Sequence, residues 1–218
     1  MHRTKEECTL QILNPDLRLT CPVIKATPYE QTEFNLHIKE LKQLGIIADT
    51  QSPHRTRAFI INKYSEIVRG KSRMVFNYKK LNDNTEEDKY PLSNKEALIN
   101  KIKHTYLYSK FDLKSGFWQV NMAKESRKWT AFITHNGHYE WNVTSFGLKN
   151  APQVFQRKMD NIFRNDEFIA TYIDDILIFS KTLKEHLEHL LIFFNQCKQN
   201  SLVLSERKMK IGCRKIEF

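Results

Sequence analysis

Two adjacent aspartates, Asp174 and Asp175, constrain the fold of this 218-residue chain more than any other feature of its sequence. They lie between two apolar runs, Phe168 to Tyr172 and Ile176 to Phe179, whose β-branched and aromatic residues predict two short strands. Two acids at the tip of an apolar hairpin repel each other and lower stability unless a cation or strong hydrogen-bond donors compensate them. An ordinary Asp-containing turn is the alternative, but the apolar flanks on both sides favour a binding site for a cation.

A divalent metal ion would supply the compensating charge. Hard oxygen ligands suit Mg²⁺, which proteins typically hold with one or two carboxylates together with substrate phosphates. The pair therefore requires a third acid and a phosphate-bearing substrate to complete the site. Asp112 is the candidate third acid, because it ends another predicted strand, Tyr106 to Asp112.

Histidine gives a weaker indication of a metal site. His186 and His189 are spaced i,i+3 on a predicted helix, and such a pair can bind a metal. Because no further ligand accompanies them, we predict that both lie on the solvated surface. We predict the same for His135 and His138, which fall in a predicted turn.

The rest of the pattern alternates between helical and extended segments and predicts an α+β fold. After an extended lead-in over residues 1 to 27, helices are predicted from Pro28 to Gly45, Pro91 to Lys103, Asn150 to Phe163 and Thr182 to Asn200. Hairpins are predicted to pair Ala58 to Asn62 with Arg73 to Tyr78, and Trp129 to Thr134 with Tyr139 to Thr144. The buried stripe of the last helix is predicted to consist of Leu187, Leu190, Leu191, Phe194 and Cys197.

The balance of charge favours a polyanionic partner. The chain has 35 Lys and Arg against 25 Asp and Glu, a formal net charge of +10. Nucleic acid is the first candidate partner, and a basic protein that merely stays soluble is the alternative. The four cysteines show no CxxC pair and no histidines at zinc-ligand spacing, which fits a reducing compartment. No stretch approaches the ~18 apolar residues of a membrane span, so we predict an intracellular protein that is not secreted and has no membrane partner.

Several motifs resemble those of reverse transcriptases. The segments FDLKSGFWQV, from Phe111, and YIDD, from Tyr172, resemble the paired polymerase motifs of retroelement reverse transcriptases. Further segments resemble the enzymes of plant pararetroviruses, the caulimovirus family, and most nearly its badnavirus and tungrovirus branch: RMVFNY from Arg73, YEW from Tyr139, FGLKNAP from Phe146 and FQR from Phe155. The resemblance runs in unbroken order from about residue 28 to residue 218.

This resemblance implies a right-hand polymerase fold. The palm, an antiparallel sheet with packed helices, is expected at about 105–124 and 151–218, and the fingers, with a β-hairpin, at about 28–104 and in part of 125–150. The thumb is expected to be absent. The chain would be a piece of a polyprotein whose protease, thumb and RNase H lie outside it, located in the cytoplasm of a plant cell or in a viral particle. Whether it comes from a virus or from a copy integrated in a plant genome stays open.

The resemblance also implies an RNA-directed DNA polymerase, a nucleotidyltransferase that extends a primer with dNTPs on RNA and on DNA templates. Two Mg²⁺ ions, with Mn²⁺ as a substitute, would be held by the catalytic acids Asp112, Asp174 and Asp175 and by the carbonyl of Leu113. The implied nucleotide-binding residues are Lys63, Lys71, Arg73, Phe117, Phe146, Gly147 and Tyr172, with the choice between the two lysines left open. The implied template-primer residues are Lys149, Pro152, Gln156 and Arg157.

Phe117 occupies the position where these enzymes keep an aromatic ring beneath the sugar of the nucleotide. The resemblance implies that this ring selects dNTPs, because it would collide with a ribose 2′-hydroxyl. The alternative is a plain core phenylalanine.

Two other functions remain open at this point. The first is a non-catalytic nucleic-acid-binding remnant, which would bind through Lys and Arg without metal-dependent turnover. The second is an RNA-templated RNA polymerase, which would need a pocket that accepts ribose, and Phe117 speaks against it. The chain also departs from its close relatives at Ser145, where they usually have proline, and at Gln153, where they usually have a small residue.

Overall fold

The computed structural model describes residues 6–22, 25–61, 72–92 and 94–216. In chain order the strands are β1 (Glu7–Cys8), β2 (Ile47–Asp49), β3 (Thr56–Ile61), β4 (Arg73–Phe76), β5 (Leu107–Asp112), β6 (Asn121–Met122), β7 (Phe132–Ile133), β8 (His138–Trp141), β9 (Ile169–Tyr172), β10 (Asp175–Ser180) and β11 (Lys210–Cys213). The α-helices are α1 (Pro28–Gln43), α2 (Lys79–Asp83), α3 (Lys95–Lys101), α4 (Lys124–Arg127), α5 (Ala151–Phe163) and α6 (Leu183–Gln199).

The chain forms two compact units. Unit 1 comprises Met1–Glu87 and Val120–Ala151, and unit 2 comprises Asp88–Gln119 and Pro152–Phe218. The assignment of fingers and palm to particular residues stays a prediction.

Unit 1 contains a five-stranded sheet in the order β2-β8-β7-β3-β4. Neighbouring strands are antiparallel, except for the parallel pair of β3 and β7. Aromatic rings fill its core: the ring of Phe76 meets those of Phe132 and Trp141 edge-on, at centroid distances of 4.7 and 5.2 Å. Both predicted hairpins are present, although Trp129 and Thr130 form a 3-10 turn instead of a strand. The tip of the first hairpin lies outside the described residues.

Helix α1 of unit 1 follows the sequence pattern closely. The Thr27 side chain accepts a hydrogen bond from the Glu30 N–H, and the Glu30 carboxylate accepts one from the Thr27 N–H, which together form a capping box. Phe34, Ile38 and Leu41 form the buried face, as the spacing predicts. The prediction of this helix is confirmed.

Unit 2 is built on a four-stranded antiparallel sheet in the order β11-β5-β10-β9. Helices α5 and α6 supply aromatic residues to its core: Phe193 of α6 lies 4.7 Å from Phe111 of β5 and 5.7 Å from Phe163 of α5, measured between ring centroids. A second cluster joins Leu98 of α3 to Leu177 on the sheet. The strand predictions around the acidic pair are confirmed, and the helix predicted from Pro91 to Lys103 is shorter, at Lys95–Lys101.

The buried stripe of α6 differs from the prediction. The residues that face the core are His186, Leu190, Phe193 and Cys197, whereas Leu187, Leu191 and Phe194 are exposed, Leu191 to 65%. Both sets follow helical spacing. The core selects the first set because β5 and β10 offer His186 two hydroxyl partners, which lets a polar ring be buried.

The prediction that the histidines are solvated is wrong for His186, which is 1% exposed. His189 bonds to Ser180 and stacks on Phe168 with ring centroids 3.8 Å apart. In unit 1, His138 is half-buried and its Nε2 lies 2.8 Å from the carbonyl oxygen of His54. No helix in the described part of the chain is both long and apolar enough to cross a membrane.

Candidate active site

The turn between β9 and β10 presents the acidic pair. Tyr172 and Asp175 are register partners on the two antiparallel strands, so Ile173 and Asp174 form the turn between them. Ile173 has φ of 52°, in the left-handed region that a β-branched residue rarely adopts. Surrounding contacts must therefore hold this turn in place.

Gln156 of α5 supplies that contact. Its side-chain carbonyl oxygen accepts a hydrogen bond of 3.0 Å from the N–H of Ile173. Its amide nitrogen donates to the Thr171 hydroxyl at 2.9 Å and to the Asp160 carboxylate at 2.8 Å. The side chain is fully buried, with 0% exposure. The polar atoms of Gln156 bond to other residues of unit 2. The buried side chain therefore supports the turn from inside, in contrast to the predicted contact with nucleic acid.

The register of the sheet brings the third acid to the turn. Asp112, the last residue of β5, is the register partner of Asp175 on β10. The N–H of Leu113 donates to the backbone carbonyl of Asp174 at 3.4 Å. The carboxylates of Asp112, Asp174 and Asp175 therefore lie at one end of the sheet of unit 2, and we call them the acidic triad.

The electrostatics of the triad are those of crowded, partly buried acids. Burial raises the pKa of Asp174, and the negative charges of Asp112 and Asp175 raise it further. One carboxylate oxygen of Asp174, Oδ1, is buried and has no hydrogen-bond partner among the described residues. A buried carboxylate oxygen without a donor is costly, and coordination of a cation would remove that cost.

Lysines engage the other two acids. The ammonium of Lys208 lies 2.7 Å from Asp112 Oδ2, and that of Lys110 lies 2.8 Å from Asp175 Oδ2. Within the described ranges, no three His, Cys, Asp or Glu side chains already converge closely enough to hold one ion. The donor set fits a hard divalent cation, and such an ion would compete with both ammonium groups for the carboxylates.

Gly116 allows the close packing around Asp174. A Cβ atom placed on Gly116 would lie 2.4 Å from Asp174 Oδ1 and 3.1 Å from the tip of the Phe155 ring. Real Cβ atoms essentially never approach another atom to 2.4 Å. The sequence did not predict the close approach of Gly116 to Asp174. In the sequence, Gly116 was noted only as part of the segment that resembles a polymerase motif.

Phe117 follows Gly116 in a 3-10 turn, Gly116–Gln119. The ring is half-buried and meets that of Phe155 edge-on at a centroid distance of 5.6 Å. Tyr172, another predicted nucleotide-binding residue, is half-buried beside the acidic pair. The sugar-selecting role of Phe117 stays a prediction.

Unit 2 holds two of the other predicted template-primer residues. Pro152 is half-buried in the first turn of α5. The guanidinium of Arg157 bonds to Asp88 at 2.6 and 2.7 Å and lies over the Tyr90 ring at 4.7 Å. Tyr90 in turn donates to Asp160, which also receives the Gln156 amide. Arg157 is thus part of the hydrogen-bonded support behind the turn.

Unit 1 holds the remaining predicted residues. Arg73 is exposed on β4, and Phe146 is an exposed aromatic residue. Gly147 has φ of 88°, and its carbonyl accepts a 2.8 Å bond from the Asn82 amide. The side-chain oxygen of Asn82 also accepts a hydrogen bond from the backbone N–H of Lys149. The ammonium of Lys149 donates a hydrogen bond of 2.8 Å to the Thr85 carbonyl. Asn82 is a structural residue that sequence reasoning missed, and two predicted residues, Lys63 and Lys71, lie outside the described residues.

Comparison with known proteins agrees with this geometry. The family model described as reverse transcriptase (RNA-dependent DNA polymerase) matches residues 61–218. The chain is 49% identical over 223 residues to "Polyprotein P3" of Commelina yellow mottle virus, a match that covers 98% of the chain and 12% of that polyprotein. It is 42% identical to the "Enzymatic polyprotein" of Cauliflower mosaic virus (strain Strasbourg), over 100% of the chain and 32% of the relative. The chain therefore spans less than a third of the length of these relatives.

Solved structures show the same fold. The crystal structure of the CSH mutant of prototype foamy virus protease-reverse transcriptase superposes with a TM-score of 0.84 at 23% identity, over 96% of this chain and 28% of that one. The foamy viral protein in complex with double-stranded DNA superposes with a TM-score of 0.85 at 21% identity, over 98% of this chain and 37% of that one. The predicted α+β polymerase fold is confirmed.

Proposed function

The chain belongs to the reverse transcriptase (RNA-dependent DNA polymerase) family, and on that premise we propose that it carries the catalytic fingers and palm of an RNA-directed DNA polymerase. The observation that carries the proposal is the register pairing of Asp112 with Asp175, which sets both acids beside Asp174 and its unpartnered carboxylate oxygen. Three acids at one sheet end, in the chain order of the family's motifs, support nucleotidyl transfer.

The acidic triad would hold the metal ions of this reaction. Reverse transcriptases generally use divalent metal ions, and we propose Mg²⁺, with Mn²⁺ as a substitute, because all the available ligands are hard oxygens. The Leu113 carbonyl is the proposed additional ligand. Once held by these ligands, two such ions would supply activation of the primer 3′-hydroxyl and stabilisation of the departing pyrophosphate. The chain contributes the fixed spacing of the carboxylates, and Gln156 and Gly116 maintain it.

The proposed nucleotide-binding residues are those that the family resemblance implies. We assign to Arg73, with Lys63 or Lys71, the stabilisation of charge on the incoming triphosphate, because preorganised cations lower the barrier to phosphoryl transfer. Phe117 is the proposed discriminator between dNTPs and rNTPs. The assignment also includes Phe146, Gly147 and Tyr172.

The proposed nucleic-acid partners are RNA and DNA template-primers. Lys149, Pro152 and Arg157 are the proposed contacts of this chain with the template-primer. We also propose that the chain functions within a polyprotein that supplies a protease, a thumb and an RNase H, in the cytoplasm of a plant cell or in a viral particle. The curated relatives, which are several times longer than this chain, support that context.

The alternative function is a nucleic-acid-binding module without turnover. One observation favours it: Asp112 and Asp175 are both paired with lysines instead of being free for metal ions. Such a module would bind template-primer with a strong dependence on salt. Adding Mg²⁺ would produce no primer extension.

A primer-extension assay tests the proposal. A labelled DNA primer is annealed to an RNA template and incubated with Mg²⁺, dNTPs and the wild-type chain, the Asp174→Asn variant or the Asp83→Asn variant. Asp83 is an exposed acid in a surface pair with Lys79 and serves as the matched control. We expect extension by the wild type and by Asp83→Asn, and none by Asp174→Asn.

Binding of the same template-primer is measured in parallel by fluorescence anisotropy. Extension by Asp174→Asn at the wild-type rate would refute the assignment of the triad. Binding by all three proteins without extension by any of them would favour the non-catalytic alternative for this chain on its own. Restoring the downstream part of the polyprotein then shows whether turnover requires it.

A further inference from the structure

A pocket of about 550 Å³ lies wholly within unit 1. Its lining includes Arg18, Arg55, His54 and His138 together with the hydroxyl-bearing Thr20. None of the described residues that line it is acidic. A pocket with two guanidinium groups and no carboxylate in its wall is suited to an anion.

The backbone brings the two arginines to this pocket. The N–H of Arg55 donates to the carbonyl of Leu19 at 2.8 Å, and Arg18 and Thr20 flank Leu19 in the chain. The segment from Arg18 to Thr20 therefore runs alongside Arg55. Both arginine side chains are exposed, and the described residues provide no carboxylate partner for either. Their charge is available to a ligand.

His54 forms a rigid part of the wall. Its ring is 4% exposed and stacks on the Trp129 ring with centroids 4.0 Å apart. Burial lowers the pKa of His54, and the charges of Lys128 and Arg18 lower it further, so the ring is neutral at neutral pH. Its Nδ1 accepts the N–H of Leu19 at 3.4 Å, and the neutral ring therefore carries its proton on Nε2. His54 thus adds a neutral ring to the pocket wall instead of a third full charge.

We propose that this pocket binds phosphodiester groups of a single-stranded nucleic acid. Guanidinium groups donate paired hydrogen bonds that match phosphate oxygens, and the pocket is larger than one phosphate requires. The choice of nucleic acid as the occupant rests on the function proposed above and on the net charge of +10. The contact itself needs neither the acidic triad nor a metal ion, so it is a second binding site of the chain.

The test measures binding without turnover. A 5′-labelled single-stranded oligonucleotide is titrated in EDTA at several salt concentrations, with the wild type, the Arg18→Gln/Arg55→Gln variant and a control. The control, Lys39→Gln/Lys124→Gln, removes two exposed charges of the same unit away from the pocket. Each single-strand phosphate contact contributes about 0.7 to the slope of log K against log salt. We expect the pocket variant to lose about 1.4 from that slope and the control to lose clearly less.

A second measurement uses the wild type alone. Modification by an arginine-selective dicarbonyl reagent, read by mass spectrometry, should fall at Arg18 and Arg55 when the oligonucleotide is bound, and should persist at Arg207 of unit 2. Protection by tripolyphosphate but not by the oligonucleotide would overturn the nucleic-acid assignment in favour of a free phosphate ligand. Equal slopes for the two double variants, or no protection by either ligand, would overturn the site.

The experiment separates this inference from the proposed polymerase function. Oligonucleotide binding is measured in EDTA, where metal-dependent primer extension does not occur, so it does not depend on whether the wild type extends primers. Failure of primer extension therefore leaves the pocket result intact. Failure of the pocket test likewise leaves the role of the acidic triad unaffected.

Discussion

The side chain of Gln156 accepts a hydrogen bond from the backbone N–H of Ile173, the residue with positive φ that precedes the catalytic candidate Asp174. This bond connects helix α5 to the turn between β9 and β10. Since a left-handed conformation is unfavourable for isoleucine, we expect the turn to depend on Gln156. The same amide anchors Thr171 and Asp160, so one buried side chain holds three neighbours.

Replacing Gln156 with leucine should therefore lower both stability and turnover. The change leaves the Ile173 N–H without its acceptor, whereas the Thr171 hydroxyl keeps its bond to the Asp160 carboxylate. One unsatisfied buried group costs about 1–3 kcal/mol, and we expect a loss of that size in the free energy of unfolding, measured with urea. Gln153→Leu is the matched control on the same helix, because its buried Oε1 has no partner among the described residues. Equal stability of the two variants would show that the turn is held by other contacts.

Lys208 should compete with metal ions for Asp112. Its ammonium lies 2.7 Å from Asp112 Oδ2, and its side chain is 66% exposed. Such an exposed ion pair is worth at most about 1 kcal/mol, so removing it should tighten Mn²⁺ binding by about threefold. Isothermal titration of Mn²⁺ into Lys208→Gln checks this, with Lys79→Gln as the control, since Lys79 forms an exposed pair with Asp83. An unchanged Mn²⁺ affinity in Lys208→Gln would exclude the competition.

Sequence patterns predicted the parts of the fold that depend on local physics. The two apolar runs around Asp174 become β9 and β10, and the Thr27 cap with the Phe34 stripe becomes α1. Asp112 ends a predicted strand, and the strand register sets it opposite Asp175. These features follow from periodicity, capping and the cost of unpaired acids, all of which are visible in a single sequence.

Features that depend on distant partners could not be predicted in this way. Helix α6 carries apolar residues around most of its circumference, so its sequence did not reveal which stripe is buried. The decision depends on Ser109 and Ser180, which bond to His186 from other elements. The support of the turn by Gln156 and the close approach of Gly116 are likewise long-range. No local pattern encodes them.

Burial of His186 should make the protein sensitive to acid. Burial lowers the pKa of His186 below its ordinary value of 6.5, and the neighbouring His189 lowers it further. The unfolded chain therefore binds a proton more readily than the folded protein does. The contribution of His186 to the free energy of unfolding is fully present above pH 6.5. It is lost as the pH falls through the lowered pKa of the folded state.

Urea unfolding at pH 7.5, 6.5 and 5.5 measures this effect. We compare the wild type with His186→Gln, which retains hydrogen-bonding groups but does not titrate. His54 also has a lowered pKa and is common to both proteins, so the difference between them isolates His186. The wild type should lose more stability between pH 7.5 and 5.5 than the variant does. Parallel pH profiles would refute the contribution of His186.

Phe117→Ala should weaken the preference for dNTPs over rNTPs. Without the ring, a ribose 2′-hydroxyl would meet no obstacle, and incorporation of rNTPs should rise relative to that of dNTPs in single-nucleotide assays. The ring is half-buried against Phe155, so we expect a stability loss of about 1–3 kcal/mol, below that of a fully buried phenylalanine. Phe168→Ala, a half-buried residue stacked on His189, is the matched control.

The control should lose stability without a change in selectivity. If Phe117→Ala loses stability and keeps its preference for dNTPs, Phe117 is a core residue and the assignment of a sugar discriminator fails. If the wild type itself accepts rNTPs as readily as dNTPs, the RNA polymerase alternative gains.

Gly116→Ala should abolish turnover by displacing Asp174. The added methyl group would lie 2.4 Å from Asp174 Oδ1 and 3.1 Å from the Phe155 ring. Relief of that overlap requires a shift of the Asp174 carboxylate or of the Gly116 backbone, and we expect the shift to disturb the spacing of the acidic triad. Overpacking of this kind costs about 1–3 kcal/mol. Gly45→Ala, whose φ of 67° is unfavourable for alanine and whose Cβ would have no atom within 4 Å, should cost about 1 kcal/mol and leave turnover intact. Urea unfolding and primer extension on both variants then separate lost stability from lost geometry, and wild-type extension by Gly116→Ala would show that the position of Asp174 tolerates the methyl group.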